Sequence, residues 1–355
     1  MSCGLTVGAG RRSVVRSPWV RLGHDREASV VAQSKPIWCC WALWQVFAVV
    51  AVSSAYSLNN GDILVTSVNS GEASLAFVGR VTGDQHVLVS AGHFSDVVSL
   101  ANGDIYVLAE GALIFKIDAA SGGSTVVSSL GLLAFERTLD LAPDGNLYVT
   151  GGSSGLIRVD PASGAQEAVA AGIIRAFAVG ANGVGYIALG DDAFSPQPYH
   201  VYRVDLTSGA TELASPTGLA EPVSLVVEGT NNLLICQTQN FSGDPVGVLR
   251  MNLATGAVTT VSADSRFMVP LGIAVEDDGN IILSDRQHLN TCAPPGGTQT
   301  CIGALYRIGP VTGATTLLAD QGLMNDAQGV DIYRGPSLPT PTRRVSWGSV
   351  KAHYR

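Results

Sequence analysis

LGIAVEDDGNIILSD, residues 271–285, is an apolar run, an Asp-Gly turn and a second apolar run. Asp-Gly and Asn-Gly pairs supply the positive φ of tight hairpin turns, and the flanking residues are β-prone, so the stretch predicts two antiparallel strands. The turn and its second strand recur outward along the chain as NNGDILV (59–65), ANGDIYV (101–107), PDGNLYV (143–149), ANGVGYI (181–187) and GTNNLLI (229–235). A second signal alternates strictly with the first: GRVTG (79–83), KIDAASG (116–122), RVDPASG (158–164), RVDLTSG (203–209), RMNLATG (250–256) and RIGPVTG (307–313). Each of these ends in Ser/Thr-Gly and leads into a short β-prone stretch such as AVTTVS or ATTLLA.

Six copies of each signal at a period of roughly 40 to 55 residues match one propeller blade per copy. Each unit reads as strand A, a turn, strand B, a loop, strand C, a Ser/Thr-Gly turn and strand D. The first unit has no strand A, while AQGVDIYRG (327–335) is a strand A with nothing behind it. The two defects cancel if the C-terminal strand completes the first blade, which closes the ring and leaves no open edge. The expected fold is all-β: a six-bladed β-propeller of four-stranded blades over 56–335, preceded by a leader (1–55) and followed by a basic, Pro-containing tail (336–355).

Charge separates the same three regions. Residues 1–55 carry six Arg/Lys against two acids, 56–335 eleven against 27, and 336–355 four against none. A body near −16 discourages nucleic acid and is compatible with cations or with simple solubility. The apolar run at 37–52 follows Lys35 and ends before Ser53-Ser54-Ala55, which reads as a secretory signal peptide. An uncleaved N-terminal anchor is the alternative, and only it would tie the chain to a membrane; export follows either way. In an oxidising compartment Cys292 and Cys301, which bracket a Pro/Gly-rich loop, are expected to form a disulfide. Cys236 reads as a buried apolar residue of a strand, and no Cys/His metal-ligand spacing occurs. The basic residues at Arg80, Lys116, Arg158, Arg203, Arg250 and Arg307 recur with the second signal, which marks them as architectural, because function breaks repeat symmetry.

The units resemble those of NHL-repeat, SMP-30/gluconolactonase and streptogramin-lyase-like propellers, whose blades read like LGIAVEDDGNIILSD and LIRVDPASG (156–164). WD40 repeats do not fit, since no Trp lies between 56 and 335. The resemblance implies that function sits on the face shared by the D-to-A connections and B-to-C loops, at the mouth of the central channel. Long B-to-C insertions at 191–199, 237–245 and 285–303 belong to blades 4, 5 and 6, and would wall one side of that mouth. Asp191, Asp192, Asn240, Arg286 and His288 are the candidate ligand contacts there, with Asp96, Glu136, Arg137, Arg175 and Gln328 as further polar groups of the mouth. SMP-30-like hydrolases hold a divalent cation such as Ca²⁺ with a Glu, Asn and Asp set, for which Glu221, Asn240 and Asp285 are the approximate match. The lyase resemblance implies a catalytic His, and His288 is the weak candidate; no motif frames it. The leading expectation is a monomeric exported module binding a ligand or protein partner. The rival is a metal-dependent lactonase or ester hydrolase.

Overall fold

The computed structural model describes residues 57–67, 75–90, 93–109, 113–129, 131–132, 138–150, 155–190, 198–238, 246–288 and 302–338. The leader, the tail from 339 onward, and the loops holding Glu136, Arg137, Asp191, Asp192, Asn240, Cys292 and Cys301 lie outside them, so the signal-peptide and disulfide expectations do too. Among the described residues no helix is long and apolar enough to cross a membrane.

Six four-stranded antiparallel sheets account for every described strand. The innermost strands are Ala327–Ile332, Phe94–Ser99, Thr138–Leu141, Ile174–Val179, Pro222–Glu228 and Pro270–Val275 for blades 1 to 6. Strand B of each blade is covered on both faces by neighbouring blades, which is why Ile105–Ala109, Leu147–Thr150 and Ile281–Asp285 are buried along their whole length and apolar except at the ends Thr150 and Ser284-Asp285. Outer strands such as Ser124–Ser129 and Val258–Ser262 present exposed residues instead. Each seam between adjacent blades holds its own apolar cluster, for example Tyr148 and Leu156 of blade 3 against Phe177 and Ile187 of blade 4.

The C-terminal strand closes the ring as expected. It pairs antiparallel with the first strand, Ile63 opposite Ile332 and Val65 opposite Val330. In blade 2 the A–B turn is held by the Leu100 N–H to the Asp104 carbonyl at 2.9 Å. In blade 1 the chain ends meet without a covalent turn, and the Tyr333 N–H makes the equivalent bond to Asp62 at 2.8 Å. Tyr333 itself is fully buried and clamps the joint.

All six Ser/Thr-Gly glycines adopt φ between 66° and 73°, a region that L residues rarely enter. A Cβ on any of them would meet a carbonyl of the preceding blade's outer strand, Leu318 O for Gly83 and Ala214 O for Gly256, each at 2.6 Å. The repeated glycine therefore serves blade-to-blade packing as well as the turn.

Four of the recurring basic residues are tied to carboxylates of the chain, and one of the six is out of register. Lys116 meets Asp104 at 2.8 Å, Arg158 meets Glu167, and Arg250 grips Glu228 with Nε at 2.7 Å and Nη2 at 2.6 Å. Arg307 grips Glu276 in the same two-bond fashion. Arg80 is out of line: it lies in the turn beyond strand Leu75–Val78, and Phe77 holds the position the other blades give to a base. Three residues rather than six separate Arg80 from its turn glycine, so the repeat is five-fold in register.

Candidate functional site

The central channel is walled by the six innermost strands, each an outer member of its sheet whose channel-facing N–H groups need acceptors. Three aspartates provide them, stepping around the ring in chain order. Asp331 of blade 1 accepts the Ser99 N–H of blade 2 at 2.6 Å. Asp96 of blade 2 accepts the Leu139 N–H of blade 3 at 2.8 Å as well as its own neighbour Val97 at 2.9 Å. Asp140 of blade 3 accepts the Val179 N–H of blade 4 at 2.9 Å and Leu141 at 2.7 Å. Blades 4 to 6 line the other half with apolar side chains, among them Phe177, Leu225 and Ile273. Burial pushes the Asp96 carboxyl up to about 8 and Asp140 up to about 7, against the pull of the amides they accept. Arg334, just beyond the last strand, holds Asp331 at 3.0 Å. The void left inside is about 70 Å³.

Asp96, expected at the mouth, is therefore a channel-wall residue. Asp140 and Asp331 were not singled out in the sequence. Their signal is positional: Asp140 stands five residues before the turn glycine Gly145, and Asp331 pairs with Leu64 as Asp140 pairs with Tyr148.

Among the described residues of the mouth, Arg175, Glu221, Arg286 and Asp326 are held in ion pairs. Glu221, at the D-to-A connection before Pro222–Glu228, forms an ion pair with Arg175 of the preceding blade, whose guanidinium lies 5.8 Å over the Tyr199 ring. Arg286 binds Asp326 at 2.7 Å, joining the blade 6 loop to the connection that enters blade 1. Asp285 is the last residue of strand Ile281–Asp285 and fully buried. It accepts N–H groups from Met268 at 2.7 Å, Val269 at 3.0 Å and Gln287 at 2.8 Å, which fixes the entry to strand A of its own blade. Burial still raises its pKa, since those three bonds oppose a larger desolvation.

His288 does not open onto the mouth. It is buried, its ring Nδ1 bonded to the Tyr306 hydroxyl and its backbone N–H to Ile302 O at 2.7 Å. Tyr306 stacks edge-on with Phe267, and Arg266 lies 5.4 Å over its ring, held by Asp264. Cys236 is buried in the same seam as Phe267 and Tyr306, where desolvation pushes its thiol up, so it is an apolar packing residue. Of the ligand set implied by the resemblance, Glu221 and Asp285 each have their oxygens engaged by the chain and Asn240 lies outside the described residues. Among the described residues no three His, Cys, Asp or Glu side chains gather as a metal cluster.

This architecture defines a closed six-bladed β-propeller whose channel, among the described residues, is narrow. No protein-family profile and no curated protein sequence matches the chain. Solved structures do. The nidogen/laminin complex aligns at TM-score 0.58 and 9% identity over 76% of this chain and 97% of that one. TolB from Acinetobacter baumannii aligns at 0.56 and 13% identity, over 76% of this chain and 66% of that one. A gluconolactonase from Xanthomonas campestris aligns at 0.53 and 12% identity, over 77% and 90%. At these identities the likeness is one of fold: a six-bladed propeller, as the TolB-like and gluconolactonase-like structures have.

Proposed function

We propose that this chain is an exported propeller that binds a protein partner at its mouth, through the unequal loops of blades 4, 5 and 6. The observation that carries the reading is the narrowness of the channel. Among the described residues the channel void is about 70 Å³, far below the roughly 300–1,000 Å³ of small-molecule pockets, which favours the mouth over the channel as the place where a partner is held. The charged groups beneath it, Arg175 with Glu221 and Arg286 with Asp326, tie neighbouring blades together and give the loops a rigid base. A protein-bound propeller among the similar folds, that of the nidogen/laminin complex, is in keeping with such a role. Export rests on the apolar run at 37–52 and the small residues after it.

The gluconolactonase likeness supports a second reading, a metal-dependent hydrolase with Glu221, Asn240 and Asp285 as ligands. It requires Glu221 to release Arg175 and Asp285 to release three backbone N–H groups.

Photocrosslinking in the exporting cell tests the first reading. A photoreactive residue at Arg286 should give discrete protein adducts that disappear when 191–199 and 237–245 are shortened. Adducts that survive the shortening, or that appear equally from Ala162 on the opposite face, would contradict it.

A further inference from the structure

Five strand-C bases stand in register, each six residues before its turn glycine: Lys116, Arg158, Arg203, Arg250 and Arg307. Four of them are met by a carboxylate of the chain. Arg203 of blade 4 is not. Its Nη2 donates to Leu253 O at 2.6 Å, the counterpart of the bond from Arg307 Nη2 to Arg80 O at 2.8 Å, since Leu253 and Arg80 each stand three residues before their turn glycine. The Nε that in Arg250 and Arg307 completes a fork onto Glu228 or Glu276 is, in Arg203, buried without a partner among the described residues.

The missing partner can be traced by register. Glu276 N–H bonds Asn280 O at 2.8 Å, and the equivalent bond in blade 4 runs from Gly180 to Val184 at 2.9 Å, so Gly180 stands where the carboxylate would be. Val184, which follows turn glycine Gly183, stands where blade 2 has Asp104. Both carboxylate positions that neutralise a strand-C base from the A–B turn are thus vacated in blade 4, as they are in blade 3, where Ala142 and Asn146 hold them and Arg158 is met by Glu167 of strand D instead. Glu212 lies opposite Arg203 as Glu167 lies opposite Arg158, but it is exposed and makes no ion pair with Arg203.

Removal of those side chains leaves a recess of about 300 Å³ between blades 4 and 5, on the face of the A–B and C–D turns. Tyr186 and Leu253 give it an apolar wall; Asn182, Thr230 and Asn231 give it a polar rim; Arg203 is its one charged group. The recess on the other flank of Arg203 contains Asp205 and Glu212, which would repel an anion. We propose that Arg203 and this blade 4–5 recess form a binding site for a small organic carboxylate, which completes the two-bond fork that Glu228 and Glu276 complete elsewhere. A planar carboxylate matches the Nε/Nη2 edge of a guanidinium. The apolar wall favours a ligand with a hydrocarbon or aromatic body, and the strongly acidic body disfavours dianions such as phosphate. The site is on the face opposite the mouth and stands or falls independently of it.

The test is a titration of the full chain, labelled with nitrogen-15 at arginine, with acetate, benzoate and inorganic phosphate. The Arg203 Nε–H resonance, assigned by its loss in Arg203→Lys, should shift saturably with both carboxylates and more tightly with benzoate. Dissociation constants should be millimolar or below. Benzoate should also raise the melting temperature, and Arg203→Lys should weaken that effect at least tenfold. Gly180→Glu, which supplies the absent carboxylate from the chain, should place the resonance at its bound position and abolish the response. An Arg203 resonance that no carboxylate moves would overturn the proposal. So would one that phosphate moves as readily as benzoate, or one already at the bound position and displaced by Glu212→Gln.

Discussion

Arg80 of blade 1 reaches Glu276 of blade 6 at 3.1 Å, and it shares that carboxylate with Arg307, which belongs to Glu276's own blade. Glu276 is 2% exposed, whereas both arginines keep access to water. The ring closes here, so the shared carboxylate welds the last blade to the first beside the joint made by the C-terminal strand.

Replacing Glu276 by Gln should therefore lower unfolding free energy by about 2 kcal/mol. This is less than the about 3–5 kcal/mol of a fully buried pair, because the freed guanidinium groups can be rehydrated. Urea denaturation of Glu276→Gln beside Glu228→Gln measures it, with the larger loss expected for Glu276 because two arginines depend on it.

The channel aspartates set a pH dependence. Asp96 and Asp140 have folded pKa values near 8 and 7, both above the ordinary value of 3.8. Below about pH 4 both states are protonated and the full stability is present; as pH rises toward 8 the folded state binds more protons than the unfolded one, and stability falls. His86, lowered by burial, works in the opposite sense near its ordinary value of 6.5. The melting temperature should decline from pH 5 to pH 8 and then level off. Asp96→Asn should flatten that decline while lowering stability at pH 5, since an amide offers one acceptor where the Val97 and Leu139 N–H groups need two.

The Ser/Thr-Gly turns carry a third expectation. Gly209 has φ 72°, and a Cβ there would collide with the Val169 carbonyl of blade 3. Gly209→Ala should cost more than about 1 kcal/mol, since the strained φ alone is of that order and the collision adds to it. Gly145, also at positive φ but with open space around it, should cost less on the same substitution. Thermal melting of the two variants separates the packing contribution from the backbone one.

Histidine 288 should behave as a structural residue. His288→Ala removes a ring buried against Tyr306 and is expected to destabilise the chain by about 2 kcal/mol or more. Crosslinking from Arg286 should persist in any such variant that remains folded. Loss of crosslinking with unchanged stability would place His288 in the binding surface instead.

The fold was legible because its signals are local. A strand covered on both faces must be apolar throughout, as IYVLA at 105–109 is, and a turn with positive φ selects Gly. The orphan strand at 327–332 could be assigned because a ring has to close. The site was less legible because its contacts cross blades. Nothing near Glu221 announces Arg175, 46 positions earlier, and Asp96 reads as a mouth acid until Leu139 of the next blade supplies the N–H it caps. Arg80 was grouped with the strand-C bases since GRVTG ends like the others; only pairing of Phe77 with His86 reveals the shift. The unpaired state of Arg203 depends on what Gly180 and Val184 lack, which becomes visible only when the blades are compared in register.

The acids beneath the mouth are engaged by the chain's own framework, Glu221 by Arg175 and Asp285 by three backbone N–H groups, which leaves no ligand set for a metal among the described residues. Thermal melting of the purified chain across a titration of Ca²⁺, Mg²⁺, Mn²⁺ and Zn²⁺ tests it most directly. No saturable rise in melting temperature is expected with any of them. A saturable rise that Glu221→Gln or Asp285→Asn abolishes would contradict it and place the hydrolase reading first.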